Sequence, residues 1–211
     1  MFVVFLIRKR HLRERCATLK HPHKYLHGKQ AETMTFEEFD KALRFNKHLS
    51  LKYLSFLAFL YLAGCRLNEA LSRVKKDFNI EDNVLVLTIP ATKKGEREFL
   101  EFDLSWPYVK EFIIPHVEKV RADNNRIWNF TDRTGERLVK KVFGDKYYPH
   151  YFRLNAAVSF CRNPDTSIQD IKAWFGWRRI ETINEYMGLA RRDVSEARKK
   201  RGMEFEKLAR E

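Results

Sequence analysis

The chain is poor in the residues that mark secreted or metal-stapled proteins. It has three cysteines, six prolines and eight glycines among 211 residues. The cysteines, Cys16, Cys65 and Cys161, are odd in number and widely spaced, and they form no CxxC pair. This pattern favours neither a disulfide framework nor a cysteine zinc site. A reduced, intracellular setting is the simplest interpretation, and we predict a cytoplasmic location.

Long apolar runs are also missing. The opening MFVVFLI is too short for a membrane span, and its basic block RKRHLRER follows the apolar run, whereas a signal peptide has the reverse order. The run LKYLSFLAFLYLAG begins with polar and charged residues and has about 14 positions, so it predicts a buried core helix. We therefore expect no membrane partner.

Acidic residues are scarce relative to basic ones. There are 28 Asp and Glu against 41 Lys and Arg, which gives a net charge of +13. Such an excess favours a polyanionic partner, either nucleic acid or an anionic membrane surface. Charge alone does not decide the function, since ribosomal proteins have a similar balance. The 44% hydrophobic content, with 17 Phe, predicts a sizeable folded core.

The first 33 residues differ from the rest and are predicted to be a basic tail or linker. They are too few to form a core of their own. His21, His23 and His27 suggest a metal site, but beyond Cys16 no fourth ligand is convincing, so no metal and no cofactor are predicted. The remaining residues, 34–211, are predicted to form one domain that ends in a C-terminal helix.

Within that domain the pattern predicts a mostly α (α+β) fold. Thr35 and Glu38 form a capping box that opens a helix, and the buried helix that follows ends near Gly64. The runs NVLVLTIP and REFLEFDL predict a β-hairpin with Gly95 as the turn former, and a short strand near 78–80 would make the antiparallel sheet three-stranded instead of two-stranded.

From Ser105 onward the pattern is helical. Prolines are predicted to interrupt it, and one helix is expected to begin at the cap Ser167 and to stop at Gly176. The four prolines in question are Pro107, Pro115, Pro149 and Pro164.

Four segments together carry the functional signal: GCRLNEAL, ATKKGEREF, PHYFRLNAA and WFGWRRIETINEYMG. They offer an arginine after a buried helix, a lysine in a hairpin turn, a His-x-x-Arg pair and a tyrosine nine residues after a tryptophan. In this order and spacing the set resembles the tyrosine recombinase (phage integrase) family, over about residues 34–200. A link to archaeal or viral integrases is a narrower form of the same resemblance.

The resemblance implies a catalytic domain of that fold and assigns a role to each matching residue. It makes Tyr186 the nucleophile that forms a 3′-phosphotyrosyl link, and Lys93 the general acid, with Lys94 as its rival. His150 would bind the phosphate or help to take the proton of the tyrosine. Arg66 and Arg153 would neutralise the phosphate oxygens, because a guanidinium stays charged and offers a planar fork of donors. Trp177 would buttress the site.

The implied function is a metal-independent, site-specific DNA recombinase or integrase of prokaryotic or viral origin. Its partners would be double-stranded DNA and further copies of the chain, from dimer to tetramer. A type IB topoisomerase-like nicking and closing enzyme and an inert DNA-binding remnant are the alternatives. Phe152 and Leu154 depart from the family pattern, and only about 33 residues precede the catalytic segments, so a catalytic fragment, a minimal recombinase and half of a split gene remain open.

The polar segment after the tyrosine, LARRDVSEARKKRGMEFEKLARE, is predicted to be helical. Its apolar positions are too few for a fully buried helix. Either it is a solvated terminal helix, or, as in the family, it docks into a neighbouring subunit with Phe205 and Leu208 as anchors.

Overall fold

The computed structural model describes residues 33–92, 95–163 and 165–190, and within these ranges the side chains of residues 90–99 are left out of the description. Several predictions therefore fall outside the described residues: the basic tail, the hairpin lysines Lys93 and Lys94, and the anchors Phe205 and Leu208. Within the described ranges, no helix is both long enough and apolar enough to cross a membrane.

The first two helices form as predicted. Helix α1 spans Phe36–Phe45, and its capping box is present, since the Glu38 amide donates to Thr35 Oγ1 at 3.2 Å and the Thr35 amide donates to Glu38 Oε2 at 2.8 Å. Helix α2 spans Leu51–Ala63 and is buried along most of its length. It ends at Gly64, whose φ of 53° is the left-handed conformation that glycine adopts without strain.

A short helix and a three-stranded antiparallel sheet follow. Helix α3 (Leu67–Leu71) comes directly after Arg66, and the strands β1 (Phe78–Glu81), β2 (Val84–Thr92) and β3 (Gly95–Asp103) pair in the order β1-β2-β3. The sheet thus has the larger of the two predicted strand numbers. Gly95 closes the two-residue loop of the predicted hairpin, as the first residue of β3 and the partner of Thr92.

The proline at position 115 does not interrupt its helix, contrary to the prediction. A π-helical turn at Val109–Ile113 runs directly into α4 (Ile114–Lys119), with Pro115 in the first turn of α4. Proline lacks the amide hydrogen of the regular i→i−4 bond, so a helix that continues through it needs a local adjustment of its backbone. The wider π-turn before it supplies the local adjustment of the backbone.

Four more helices complete the described fold: α5 (Asp132–Phe143), α6 (Pro149–Arg162), α7 (Ile168–Phe175) and α8 (Ile180–Ala190). Helix α7 begins with a Ser167–Asp170 capping box and ends at Gly176 with φ 62°, which confirms both predicted bounds. Tyr186 lies inside α8, and the helical segment predicted to follow it lies outside the described residues from position 191 onward.

The core is built around α2 and is rich in aromatic rings. Phe59 of α2 packs on Trp128 with ring centroids 4.6 Å apart, and Phe56 contacts Phe130 edge to face at 4.9 Å. On the other side, α2 contacts α6, and the two helices bring their functional segments together at the C-terminal end of α2. The mostly helical fold with one small sheet is the predicted class.

Candidate active site

The site forms where the ends of α2 and α7 meet the side of α6. At this point the backbone of Gly64 lies so close to α6 that a β-carbon added to it would stand 2.7 Å from the Cβ of Ala156. Glycine is therefore required both for the left-handed turn and for the close approach. This contact fixes Arg66, which follows the turn, relative to the residues of α6.

A buried carboxylate connects the two predicted phosphate-binding arginines. Glu69 is 4% exposed and accepts a hydrogen bond from the backbone amide of Arg66 at 2.8 Å. It also forms an ion pair with the Arg66 guanidinium. The oxygen that accepts the Arg66 amide, Oε2, also lies 3.9 Å from Arg153 Nη1. One carboxylate thus compensates two cations and holds them near each other, as buried charges require.

Arg153 is the more constrained of the two arginines. It is 1% exposed and donates from Nη1 to the Gly64 carbonyl at 3.1 Å and from Nη2 to the Phe175 carbonyl at 2.8 Å. Each of these carbonyls belongs to a helix end, one at α2 and one at α7. A single guanidinium can bridge both because its donors are arranged as a rigid planar fork.

Tyr186 lies against this arginine in the same cluster. Its side chain is 3% exposed, and its ring stacks on Trp177 with centroids 4.8 Å apart and planes 16° apart. Burial raises the pKa of the Tyr186 phenol, while the charges of Arg153 and Arg66 oppose that rise. Both arginines thus favour the anionic form of the phenol.

The aromatic stack continues from the tyrosine to the end of α7. Trp177 stacks on Phe175 at 4.7 Å, and the Arg153 guanidinium carbon lies 5.1 Å from the Phe175 ring centroid and 5.6 Å from that of Trp177. Cation–π contacts of this kind stabilise a desolvated guanidinium. Trp177 thus contacts both the tyrosine and the arginine, in the manner of a buttress.

The other two predicted site residues are less closely defined. His150 lies on α6, one helical turn before Arg153, and is half-buried, so the two side chains share a helix face. Lys93 lies outside the described residues, in the chain between the end of β2 and the start of β3. The structure therefore brings Arg66, Arg153, Trp177 and Tyr186 into one cluster, places His150 on the same helix as Arg153, and leaves Lys93 undescribed.

Two structural residues of the site were missed by the sequence analysis. The indole of Trp174 donates to the Ala63 carbonyl at 3.2 Å, which fastens α7 to the end of α2. Buried Arg73 donates to the Glu69 carbonyl at 2.9 Å and to the Thr88 carbonyl at 3.1 Å, and pairs with Asp77 at 3.2 Å. Neither residue stands out in the sequence, since Trp174 fits an apolar helix face and Arg73 resembles a surface cation.

The described residues include histidines, cysteines and carboxylates, the side chains that commonly bind metal ions. Among them, no group of three or more His, Cys, Asp or Glu side chains is placed to hold a metal ion, whereas the three histidines of the tail lie outside the description. Cys65 and Cys161 are buried free thiols, and the Cys161 thiol is close enough to contribute to the raised pKa of the Tyr186 phenol.

Comparison with solved structures identifies the fold of the described residues. The described architecture matches the crystal structure of XerA recombinase with a TM-score of 0.58 and 16% identity, over 75% of this chain and 58% of that one. It matches the XerH site-specific recombinase bound to a palindromic difH substrate with a TM-score of 0.60 and 18% identity, over 80% of this chain and 53% of that one.

The fold is that of a tyrosine recombinase catalytic domain. In sequence, the chain is 25% identical over 189 residues to a protein of Acholeplasma phage L2 described as a probable integrase/recombinase. That alignment covers 84% of this chain and 64% of the phage protein, so the chain spans less than two thirds of its relative. No protein-family profile matches the sequence. The predicted resemblance is thus confirmed for the recombinase fold by two independent kinds of similarity.

Proposed function

We propose that this chain is the catalytic part of a site-specific DNA recombinase or integrase that cuts and rejoins DNA through a 3′-phosphotyrosyl intermediate. The observation that carries the proposal is the cluster in which Tyr186 stacks on Trp177, Trp177 contacts Arg153, and Glu69 joins Arg153 to Arg66. The phage relative described as an integrase/recombinase and the recombinase fold support it. Double-stranded DNA is the proposed substrate, and we propose that the chain binds it as an oligomer, from dimer to tetramer.

In the proposed reaction the Tyr186 oxygen attacks the phosphorus of one phosphodiester, and the 5′ oxygen leaves. The bond from tyrosine to phosphorus replaces the bond that breaks, so a later attack by a 5′ hydroxyl reseals DNA without an external energy source. The two arginines hold the non-bridging oxygens, where negative charge accumulates in the transition state. Lys93 gives the leaving oxygen its proton, and the proton of the tyrosine passes to His150 or to water.

The described conformation adds one requirement to this mechanism. The Tyr186 ring is 3% exposed, and both terminal nitrogens of Arg153 already donate to backbone carbonyls. A phosphate in a duplex cannot reach a phenol that is covered to this extent. The reaction therefore requires that α8 shift enough to expose the tyrosine, while the remaining N–H groups of the arginines receive the phosphate.

The test of the proposal is covalent capture. The full chain is incubated with a pool of randomised nicked duplexes, in which the cut fragment is lost by diffusion so that the intermediate accumulates. We expect an adduct that resists denaturant, that forms in excess chelator, and that Tyr186→Phe abolishes. The matched control is Tyr53→Phe, which also removes a tyrosine hydroxyl but does so at the start of α2, the end of that helix far from the site. This variant should retain the adduct. An adduct of undiminished yield in Tyr186→Phe refutes the assignment.

A second readout separates recombination from nicking and closing. Captured sequences are recloned as two labelled copies, and exchange between them is measured beside relaxation of a supercoiled plasmid. A recombinase produces exchanged products, whereas a topoisomerase-like enzyme relaxes the plasmid without exchange. Binding without an adduct would identify an inert DNA-binding protein.

A further inference from the structure

A positively charged cleft lies away from the tyrosine cluster, at the other end of α2. It has a volume of about 580 Å³, and its polar lining comes from the start of α2, from α4 and from the loop 120–129. The polar residues that matter are Lys52, His116, Lys119, Arg121, Arg126 and Asn129. Among the described residues, no carboxylate lines this cleft.

The cations of the cleft are not neutralised within the described part of the chain. Lys52 donates to the Asn129 side-chain oxygen at 3.1 Å and lies near the rings of Tyr53 and Phe130, but it forms no ion pair with a described residue. Lys119, Arg121 and Arg126 are exposed, and none of them forms an ion pair with a described carboxylate. Four positive charges thus converge on one concave surface, which concentrates the electrostatic potential there.

The buried imidazole in the cleft responds to this potential. His116 hydrogen-bonds the Ile127 carbonyl at 2.9 Å. Burial lowers the pKa of His116, and the charges of Lys52 and Lys119 lower it further. The ring is therefore neutral near pH 7, and its remaining nitrogen makes it a local reporter for an anion that enters the cleft.

The loop that supplies two of the arginines is held in place by backbone hydrogen bonds. The Lys75 amide donates to the Asn125 carbonyl at 3.1 Å, the Lys76 amide donates to the Asp123 carbonyl at 3.0 Å, and the Ile127 amide donates to the Arg73 carbonyl at 3.0 Å. These bonds join the loop to the segment that directly follows α3. The cleft is consequently preformed, and a ligand does not bear the entropic cost of ordering it.

We propose that this cleft binds phosphate groups of the DNA backbone at a distance from the phosphate that is cut. This inference rests on the proposed function and adds a second anchoring site to it. Helix α2 separates Lys52 from the turn before Arg66 by a rise of about 18 Å. That length corresponds to about five base-pair steps of a duplex. A short duplex is therefore long enough to reach from the cleft to the tyrosine, and we place its backbone in the cleft and its reactive phosphate at the tyrosine.

The experiment compares two triple variants of the full chain that lose the same charge. The cleft variant carries Lys119→Gln, Arg121→Gln and Arg126→Gln, and the control variant carries Lys41→Gln, Lys47→Gln and Lys110→Gln, all at exposed positions outside the cleft. Binding of a 30-base-pair duplex is measured over a range of salt concentrations. We expect the log–log salt slope of the cleft variant to become shallower by about two to three, since each lost phosphate contact removes about 0.9.

A smaller change is expected in the control variant, and thermal unfolding checks that both variants are folded. If the cleft variant loses no more of the slope than the control, the proposal is overturned. Inorganic phosphate, titrated while the His116 ring signals are followed by NMR, separates the two sources of phosphate. If free phosphate shifts these signals and the duplex does not, the cleft binds small anions, and the DNA assignment is overturned.

The outcome is separable from that of the proposed reaction. The same salt series is run on Tyr186→Phe, which lacks the nucleophile but keeps every cleft residue. Cleft-dependent binding in this background, together with no adduct in the unmodified chain, would preserve the anchoring site and refute the recombinase. An adduct whose formation is equally salt-sensitive in the cleft and control variants would preserve the recombinase and refute the anchoring site.

Discussion

At the scale of single residues, the two arginines of the site differ in what holds them. Arg153 is 1% exposed and bridges two backbone carbonyls, whereas the Arg66 side chain is 49% exposed and pairs, among the described residues, with Glu69 alone. The same substitution should therefore lower the stability of the fold at Arg153 but leave it nearly unchanged at Arg66. The proposed roles predict that the rate of DNA cleavage falls by a similar factor at both positions.

Replacing each arginine by lysine tests this difference. Arg153→Lys should lower the free energy of unfolding by about 2–4 kcal/mol, because one ammonium cannot bridge both carbonyls and pair with the buried Glu69. Arg66→Lys should change it by less than about 1 kcal/mol, because the pair is half-exposed. Both should slow adduct formation about 100-fold or more. Chemical denaturation and single-turnover capture measure the two effects, and equal destabilisation would contradict the account.

The residue types of the site could be predicted from the sequence, but their contacts could not. The segment GCRLNEAL supplied Arg66 as a predicted site residue, yet nothing in it indicated that Glu69 pairs with Arg66 and also approaches Arg153 of a distant helix. Arg73 was missed for a similar reason. Its burial depends on β2 and Asp77 folding around it, and a single sequence does not display such long-range packing.

At the scale of elements, helix ends decide where the functional side chains lie. The left-handed turns at Gly64 and Gly176 stop α2 and α7 at the carbonyls that Arg153 bridges, since the Gly64 and Phe175 carbonyls lie at those two ends. The sequence predicted both stops, because glycine after an apolar helical run is a strong signal of a helix C-terminus. The continuation of a helix through Pro115 was not predictable, since the π-turn before it has no sequence signal.

A pair of glycine substitutions tests how much the close approach at the end of α2 matters. Gly64→Ala should lower the free energy of unfolding by about 2–4 kcal/mol, through a positive φ of 53° and a Cβ that would lie 2.7 Å from Ala156. Gly188→Ala in α8 has nothing within 4 Å and should be neutral or stabilising by up to about 1 kcal/mol. Urea denaturation checks both, and a tolerated Gly64→Ala would contradict the packing described.

At the scale of the whole molecule, charge and fold point to the same partner. The net charge of +13 predicts a polyanion, and the recombinase fold narrows the proposal to duplex DNA. Composition by itself could not separate DNA from RNA or a membrane surface. The ordered set of Arg66, Lys93, the His150–Arg153 pair and Tyr186 is what favours DNA in the proposal, because four weak motifs in one order are far more specific than any one of them.

The salt dependence of binding is the prediction that belongs to this scale. If the chain contacts about 6–10 phosphates, the logarithm of its affinity for a duplex should fall with the logarithm of salt concentration with a slope of about −5 to −9. Removing residues 1–30 should weaken binding by a similar factor for unrelated sequences, because a basic tail contacts the backbone more readily than the base edges. Fluorescence anisotropy measures both, and a slope near zero would exclude DNA as the partner.

The most direct measurement of the central claim is to identify the residue that becomes linked to DNA. The captured adduct is digested with nuclease and trypsin, and the nucleotide-bearing peptide is sequenced by mass spectrometry. Cleavage after Arg179 and Arg191 releases the peptide IETINEYMGLAR, which contains Tyr186 and none of the other seven tyrosines of the chain. The account predicts a nucleotide remnant on Tyr186 of this peptide. A remnant on any other residue, or no adduct at all in the unmodified chain, would contradict it.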